Sequence, residues 1–188
     1  NPLLTEAKNE TAQAVIKHHA HLGISWDGDF DRCFLFDEKG GFIEASYLAG
    51  FLATILLKKH PKSKVVHDIR QVMYMEEAIQ EAGGVPIPSL SGHSPMKETM
   101  REVEAIFGGE SSGHYYFKDF FYCDSGMIPW LLIVELLSQT KKPLSAFIKA
   151  CREAYPCSGE LNYKVEDIKA TISRVVEFYQ PQNPKCND

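Results

Sequence analysis

Apolar residues recur along this chain in two alternating rhythms, one helical and one strand-like. Positions 6 to 20 carry helical spacing after Thr5, and the runs 22 to 26 and 33 to 36 have strand character. The turn Glu38-Lys39-Gly40-Gly41 then breaks the chain. From Ser46 onward, Leu48, Phe51, Leu52, Ile55 and Leu56 return at helical spacing. Lys58, Lys59 and His60 complement the dipole at that helix's end, and Pro61 stops it.

The theme repeats downstream. A strand is predicted at 64 to 67, then a helix marked by Val72, Met75 and Ile79 and closed by Gly83-Gly84. The strand at 85 to 88 holds two prolines, which have no N–H to give and so suit a sheet edge. Ser94-Pro95 opens a helix with Met96, Met100 and Val103 as its buried stripe. Residues 105 to 107 and 115 to 117 read as short strands. Asp124 or Ser125 is expected to start a strongly apolar helix to about Gln139, with Pro129 out of place in its early turns. A helix with Leu144, Phe147, Ile148 and Cys151 follows.

Strands and helices alternating through short loops imply an α/β fold, mainly a parallel sheet with helices on both faces. Residues 156 to 159 mark a junction. Beyond it, residues 161 to 165 and the stripe Ile168, Ile172, Val175, Val176 and Tyr179 read as the start of a separate piece. The tail "QPQNPKCND" has linker composition.

Composition narrows the class. At 188 residues, 44% hydrophobic and 24% charged, the chain fits one globular domain with pieces of its neighbours. A net charge of −5 gives no electrostatic reason to expect nucleic acid or an anionic membrane as partner. The five cysteines are scattered without C-x-x-C spacing, which predicts a reducing, cytoplasmic setting. The apolar run 127 to 137 is too short for a bilayer span and contains Glu135. No signal peptide is evident, and the opening Asn1-Pro2 suggests a piece of a longer protein.

Candidate chemistry concentrates in three loops. In "SWDGDFDRC", Asp27, Asp29 and Asp31 occupy alternate positions and Arg32 follows at once. Three such carboxylates fit a solvated acidic turn or a hard cation. An EF-hand is excluded, because Arg32 stands where that loop needs glycine and the flanks are strand-like. Mg²⁺ bound together with a phosphate fits better, since Mg²⁺ uses few protein carboxylates and an arginine fork can hold the same phosphate. The second loop, "GGESSGHYYF", offers Glu110, Ser111, Ser112 and His114 after a strand. It suits a polyhydroxylated ligand at the carboxyl end of a parallel sheet, or is a plain polar turn. The third, Ser91-Gly92-His93-Ser94, leads into a helix N-terminus, either as an anion site or as an ordinary cap. His18, His19 and His21, around a helix end, read as surface residues.

Taken together the loops resemble the α-D-phosphohexomutase family, in its phosphomannomutase/phosphoglucomutase branch. Asp27-Gly28-Asp29-Phe30-Asp31-Arg32 is similar to that family's magnesium loop, with Phe30 at a place usually held by a small residue. Gly109-Glu110-Ser111-Ser112-Gly113-His114 resembles its sugar-binding loop, and Gly92-His93 an active-site loop. The resemblance implies Mg²⁺ on Asp27, Asp29 and Asp31, and sugar binding by Glu110, Ser112 and His114. It also implies catalytic roles for Arg32, Arg70, His93 and His114. Residues 1–41 would be the end of the family's second domain, 42–154 its whole third, and 155–188 a linker and the start of its fourth.

The implied reaction moves phosphate between O1 and O6 of a hexose through a phosphoserine and a bisphosphorylated sugar. Partners would be mannose or glucose 1- and 6-phosphates and the remaining domains of the parent chain. The phosphoserine loop and the fourth domain's phosphate-clamping loop are absent from this sequence, so the isolated chain is expected to be inactive. Where many family members carry an active-site lysine, this chain has Asp68-Ile69-Arg70; arginine cannot act as a base, which leaves His93 or His114 for proton transfer. Alternatives are a non-catalytic sugar-phosphate or partner-binding module on the same scaffold, or a phosphoglucosamine mutase.

Overall fold

The computed structural model describes residues 2–157 and 163–183 and divides the chain into two units, Asn1–Cys157 and Ser158–Asp188. The first begins with helix α1 (Thr5–Lys17) and a small antiparallel sheet of β1 (Gly23–Trp26), β2 (Cys33–Phe36) and β3 (Phe42–Ile43), in that order. All four residues of β2 are buried, so this middle strand is covered on both faces. Asp37 shapes the turn after it, accepting from the backbone N–H of Lys39 and of Gly41. That turn made the sequence legible at 38 to 41, whereas the two-residue β3 gave no periodic signal.

Helix α2 (Ala45–Lys59) runs against a five-stranded sheet. It buries Tyr47, Leu48, Ala49, Leu52, Ala53, Ile55 and Leu57, more than one stripe, because it is covered on several sides. The chain continues through β4 (Lys64–Asp68), α3 (Val72–Glu81), β5 (Val85–Ser89), α4 (His93–Val103) and β6 (Phe107–Gly109). It then passes through β7 (Tyr115–Phe117), β8 (Cys123–Asp124), α5 (Ile128–Thr140) and α6 (Leu144–Ala154). Strand order is β5-β4-β6-β7-β8. Side-chain alternation sorts the strands between two cores. Val65, Phe107, Tyr115 and Phe117 join α2, α3, α5 and α6, while Val66 and Tyr116 join Met96 and Met100 of α4. Helices therefore cover both faces, as expected.

The sheet is less uniformly parallel than the alternation implied. β4 pairs in parallel with β5 and β6, but β7 is antiparallel to β6 and β8 antiparallel to β7. Four strands consequently point one way and β7 points back. The reason is loop length: residues 110–114 make a tight turn, and a parallel crossover needs a dozen residues or more. β5, with Pro86 and Pro88, is indeed an edge strand. The strand expected at 105 to 107 lies two residues later.

The apolar helix expected from Asp124 or Ser125 begins instead at Ile128, and Asp124 belongs to β8. Pro129 then falls in the first turn, where its missing N–H has no helical partner to lose. In the second unit, Asp167 accepts from the Ala170 N–H at 2.9 Å and caps α7 (Ile168–Tyr179). Residues 158–162, and Cys186 in the tail, lie outside the described residues. Among the described residues, no helix is long and apolar enough to cross a membrane.

Candidate active site

The three loops picked out by their chemistry meet at one end of the sheet. β4 and β6 are parallel neighbours, so Asp68 at the end of β4 lies beside the loop that leaves β6. There the Ser111 hydroxyl donates to Asp68 Oδ2 at 2.8 Å. Glu110 then turns the chain: its carbonyl accepts from the Gly113 N–H, and its own N–H donates to the His114 carbonyl. Gly113 has φ +92°, and a Cβ on it would stand 2.8 Å from the Phe34 ring. Only glycine fits that backbone and that space.

The aspartate loop joins this turn through the main chain. Arg32 and His114 form an isolated antiparallel bridge, and the Cys33 N–H donates to the Gly113 carbonyl at 3.2 Å. On the other side, Gly126 donates to the Phe30 carbonyl at 3.1 Å, and the Trp26 indole donates to the Gly126 carbonyl at 2.9 Å. Phe30 is exposed with φ +63°, a left-handed conformation that accounts for a small residue being the easier choice there. Its ring leans on Trp26, with centroids 6.2 Å apart.

Asp27, Asp29 and Asp31 each offer an oxygen within 4.8 Å of the others. Asp31 Oδ1 is buried without a hydrogen-bond partner among the described residues. An all-carboxylate set with an unsatisfied oxygen fits a hard divalent cation such as Mg²⁺. Asp27 takes two contacts from Arg32, one from the backbone N–H at 3.2 Å and one from Nε. Partial burial opposes the charge on Asp27, yet the Arg32 contacts hold its carboxyl below the ordinary range. Arg32 is thereby fixed beside the aspartates.

Glu110 is only 2% exposed. One carboxylate oxygen accepts from the Gly92 N–H, and the other accepts from the Tyr116 hydroxyl at 2.8 Å and faces His114 Nδ1 at 3.3 Å. Burial disfavours its charge, but these donors outweigh it and lower the pKa. Ser112 Oγ lies 2.8 Å from His114 Nδ1, and His114 Nε2 faces Asp31 Oδ2 at 3.3 Å. For His114 burial works against the proton, while the Glu110 bond and the charges of Asp31, Glu110 and Asp124 raise the pKa overall.

His93 opens α4 and stands edge-on to His114, with ring centroids 4.6 Å apart. Arg70 leaves the end of β4 and grips Asp68 with two nitrogens, at 3.0 and 2.6 Å, its side chain otherwise half exposed. Burial opposes the Asp68 charge; Arg70, Ser111 and Ser91 prevail and set its carboxyl well below the usual range. Every expected site residue is thus near this end of the sheet, and Arg70 is linked to the 110–114 loop through Asp68, which also accepts from Ser111.

Sequence reasoning passed over three members. Asp124 on β8 meets Lys97 at 2.8 Å and His93 at 3.4 Å. Lys97 lies one helical turn after His93, a spacing that could have flagged it. Tyr116 gave no sign beyond its apolar neighbours. Cavities of about 470 and 630 Å³ lie elsewhere, lined among others by Tyr74 and Cys151 in one and by His21 and Lys141 in the other. None of the candidate residues lines either of them, so the chemistry is set on strand-end loops.

The domain is thus an α/β sheet with carboxylate, imidazole and hydroxyl groups gathered at its strand ends. The family model described as phosphoglucomutase/phosphomannomutase, alpha/beta/alpha domain III, matches residues 44–155, and the chain belongs to that family. It is 52% identical over 187 residues to a protein of Xanthomonas campestris described as phosphohexose mutases, covering all of this chain and 42% of that one. A phosphomannomutase of Salmonella typhimurium is 51% identical over 175 residues, covering 93% of this chain and 38% of the relative. Among solved structures, a phosphoglucomutase/phosphomannomutase family protein of Burkholderia thailandensis superposes with a TM-score of 0.74 at 26% identity, covering 79% of this chain and 32% of that one. The chain spans about two-fifths of the length of these curated relatives.

Proposed function

We propose that this chain supplies the metal and sugar sites of a phosphohexomutase that interconverts hexose 1- and 6-phosphates, with mannose and glucose phosphates as substrates. The observation that carries this reading is the joining of the aspartate loop to the 110–114 loop through the Arg32–His114 bridge and the Asp31–His114 contact. A cation site and a hydroxyl-binding loop held that close suit a phosphate and the sugar that bears it. Asp27, Asp29 and Asp31 would hold Mg²⁺. When bound, the ion supplies charge neutralisation for a transferring phosphoryl group.

The chain's own residues do the rest. Arg32, held by Asp27, adds a fixed cation beside the phosphoryl position. Arg70 presents guanidinium charge at the β4 end. His114, with its raised pKa, carries its proton toward neutral pH, and His93 stands beside it for proton exchange with the sugar hydroxyl that gains or loses phosphate. Ser112 and Glu110 take the O3 and O4 hydroxyls, which lie between C1 and C6 and so return to the same residues when the sugar turns end for end. Because Glu110 already meets the Gly92 N–H, the Tyr116 hydroxyl and the His114 imidazole, it also fixes Gly92 and His114 in place. The phosphoserine donor belongs to the remainder of the parent protein, and residues 155–188 to its next domain.

The test is steady-state kinetics of Glu110→Gln and Ser112→Ala in the full-length parent. Each should lower kcat/KM for mannose 1-phosphate and glucose 1-phosphate by similar factors, since those sugars differ only at C2. Loss of one reaction with the other spared would show the loop reading C2 and end this assignment.

A further inference from the structure

Asp31, His93, His114 and Asp124 each offer one ligand atom, and these atoms lie within 4.8 Å of one another. This set differs in kind from the three aspartates. Two imidazoles with two carboxylates match the borderline cations of the Zn²⁺ and Co²⁺ class, whereas an all-oxygen set matches Mg²⁺.

Two distances match the spacing of neighbouring ligand atoms around one ion. His114 Nε2 to Asp31 Oδ2 is 3.3 Å, and His93 Nδ1 to Asp124 Oδ2 is 3.4 Å. Charge-assisted N–H···O bonds are shorter, about 2.7–2.9 Å. Tetrahedral geometry with Zn–N and Zn–O bonds of about 2.0–2.1 Å separates neighbouring ligand atoms by roughly 3.3–3.4 Å. The pairs therefore stand at a ligand-to-ligand spacing.

The shell behind His114 supplies an independent reason. Its Nδ1 faces buried Glu110 at 3.3 Å and the Ser112 hydroxyl at 2.8 Å, which turns Nε2 toward Asp31. A carboxylate behind an imidazole is the usual support of a metal-ligating histidine, fixing ring orientation and raising basicity. Asp124 is tied through its other oxygen to Lys97 at 2.8 Å, so its Oδ2 stays turned toward His93.

We infer that Asp31, His93, His114 and Asp124 form a second cation site, selective for Zn²⁺-class ions and sharing Asp31 with the three-aspartate loop. Sharing one carboxylate couples the two sites: Asp31 Oδ2 faces the histidines while its Oδ1 stays free of hydrogen bonds among the described residues, and an ion on the histidine side immobilises both imidazoles.

The 188-residue chain can be titrated with Co²⁺ and followed by its visible absorption, then back-titrated with Zn²⁺. One Co²⁺ per chain should give the intense bands of four-coordinate cobalt, and one Zn²⁺ should abolish them. His93→Ala, at a half-exposed position where folding is not at stake, and Asp124→Asn should each weaken Co²⁺ binding at least tenfold. Glu110→Gln, outside the ligand set, should weaken it by roughly 10–100-fold. Asp29→Ala should leave the bands intact. Bands that vanish in Asp29→Ala and survive in His93→Ala would place the ion on the aspartate loop, and unchanged binding in His93→Ala and Asp124→Asn would show a self-neutralised ion-pair cluster. Either result overturns the site.

Discussion

The Tyr116 hydroxyl donates to Glu110 Oε2 at 2.8 Å, from the strand that returns after the turn Glu110 begins. Both residues are buried, so the bond holds a charged carboxylate beneath the loop that carries Ser112 and His114. Burial and the adjacent Glu110 push the Tyr116 phenol well above its ordinary range, which keeps it a donor. Tyr116→Phe preserves the ring and removes only the O–H. It should destabilise the chain by about 1.5–3 kcal/mol, the range for hydrogen bonds to charged groups. Urea unfolding with an unchanged m-value measures this; a loss near zero would mean Glu110 is satisfied without Tyr116.

Gly126 decides the position of the aspartate loop without contributing a ligand. A Cβ there would lie 2.5 Å from the Phe30 carbonyl oxygen and 2.8 Å from that of Arg32. Both are backbone atoms and cannot swing aside. Gly126→Ala should displace the loop and weaken Mn²⁺ binding at least several-fold, with α2 and the five-stranded sheet still folded. Relaxation titration of the variant checks it, and wild-type affinity would show that the loop tolerates the shift.

The three-aspartate site should bind Mg²⁺ or Mn²⁺ weakly, near millimolar, or ~4 kcal/mol. Water must fill the positions that the chain leaves open. Asp29 is exposed and has no protein cation among the hydrogen bonds and ion pairs described, so Asp29→Ala removes a ligand with little cost to the fold. Calorimetry that cannot tell the variant from wild type would remove the claim of a metal site.

Asp68 should govern part of the acid sensitivity. Its folded pKa is depressed, so its contribution is fully present above the unfolded value of about 3.9 and is lost as pH falls from there through the folded pKa. Asp68→Asn should be less stable than wild type at neutral pH and should lose less stability on acidification below pH ~4. Denaturant midpoints across that window test this. Parallel acid limbs for the two proteins would show that the Arg70 and Ser111 contacts do not discriminate the charged form.

Helix stripes, the proline-marked edge strand and the residue types of the three loops were fixed by the sequence itself, because each is a local property. Side-chain periodicity belongs to neighbours a few positions apart, and the prolines of β5 lack a donor wherever they stand. The direction of β7 was also implicit, in a turn too short for a crossover, but the alternating pattern hid it. The start of α5 was misplaced because apolar spacing cannot distinguish a two-residue strand from a first helical turn; Cys123 and Asp124 pair with β7 instead. Only the tertiary structure brought Asp124 to His93, Asp31 to His114 and Asp68 to Ser111. Those meetings follow from strand order and register, which set distant segments side by side: β4 beside β6, and the small sheet bridged to His114. The chemistry of each loop is written in its residues, whereas which loops share a site depends on contacts between segments far apart in the chain.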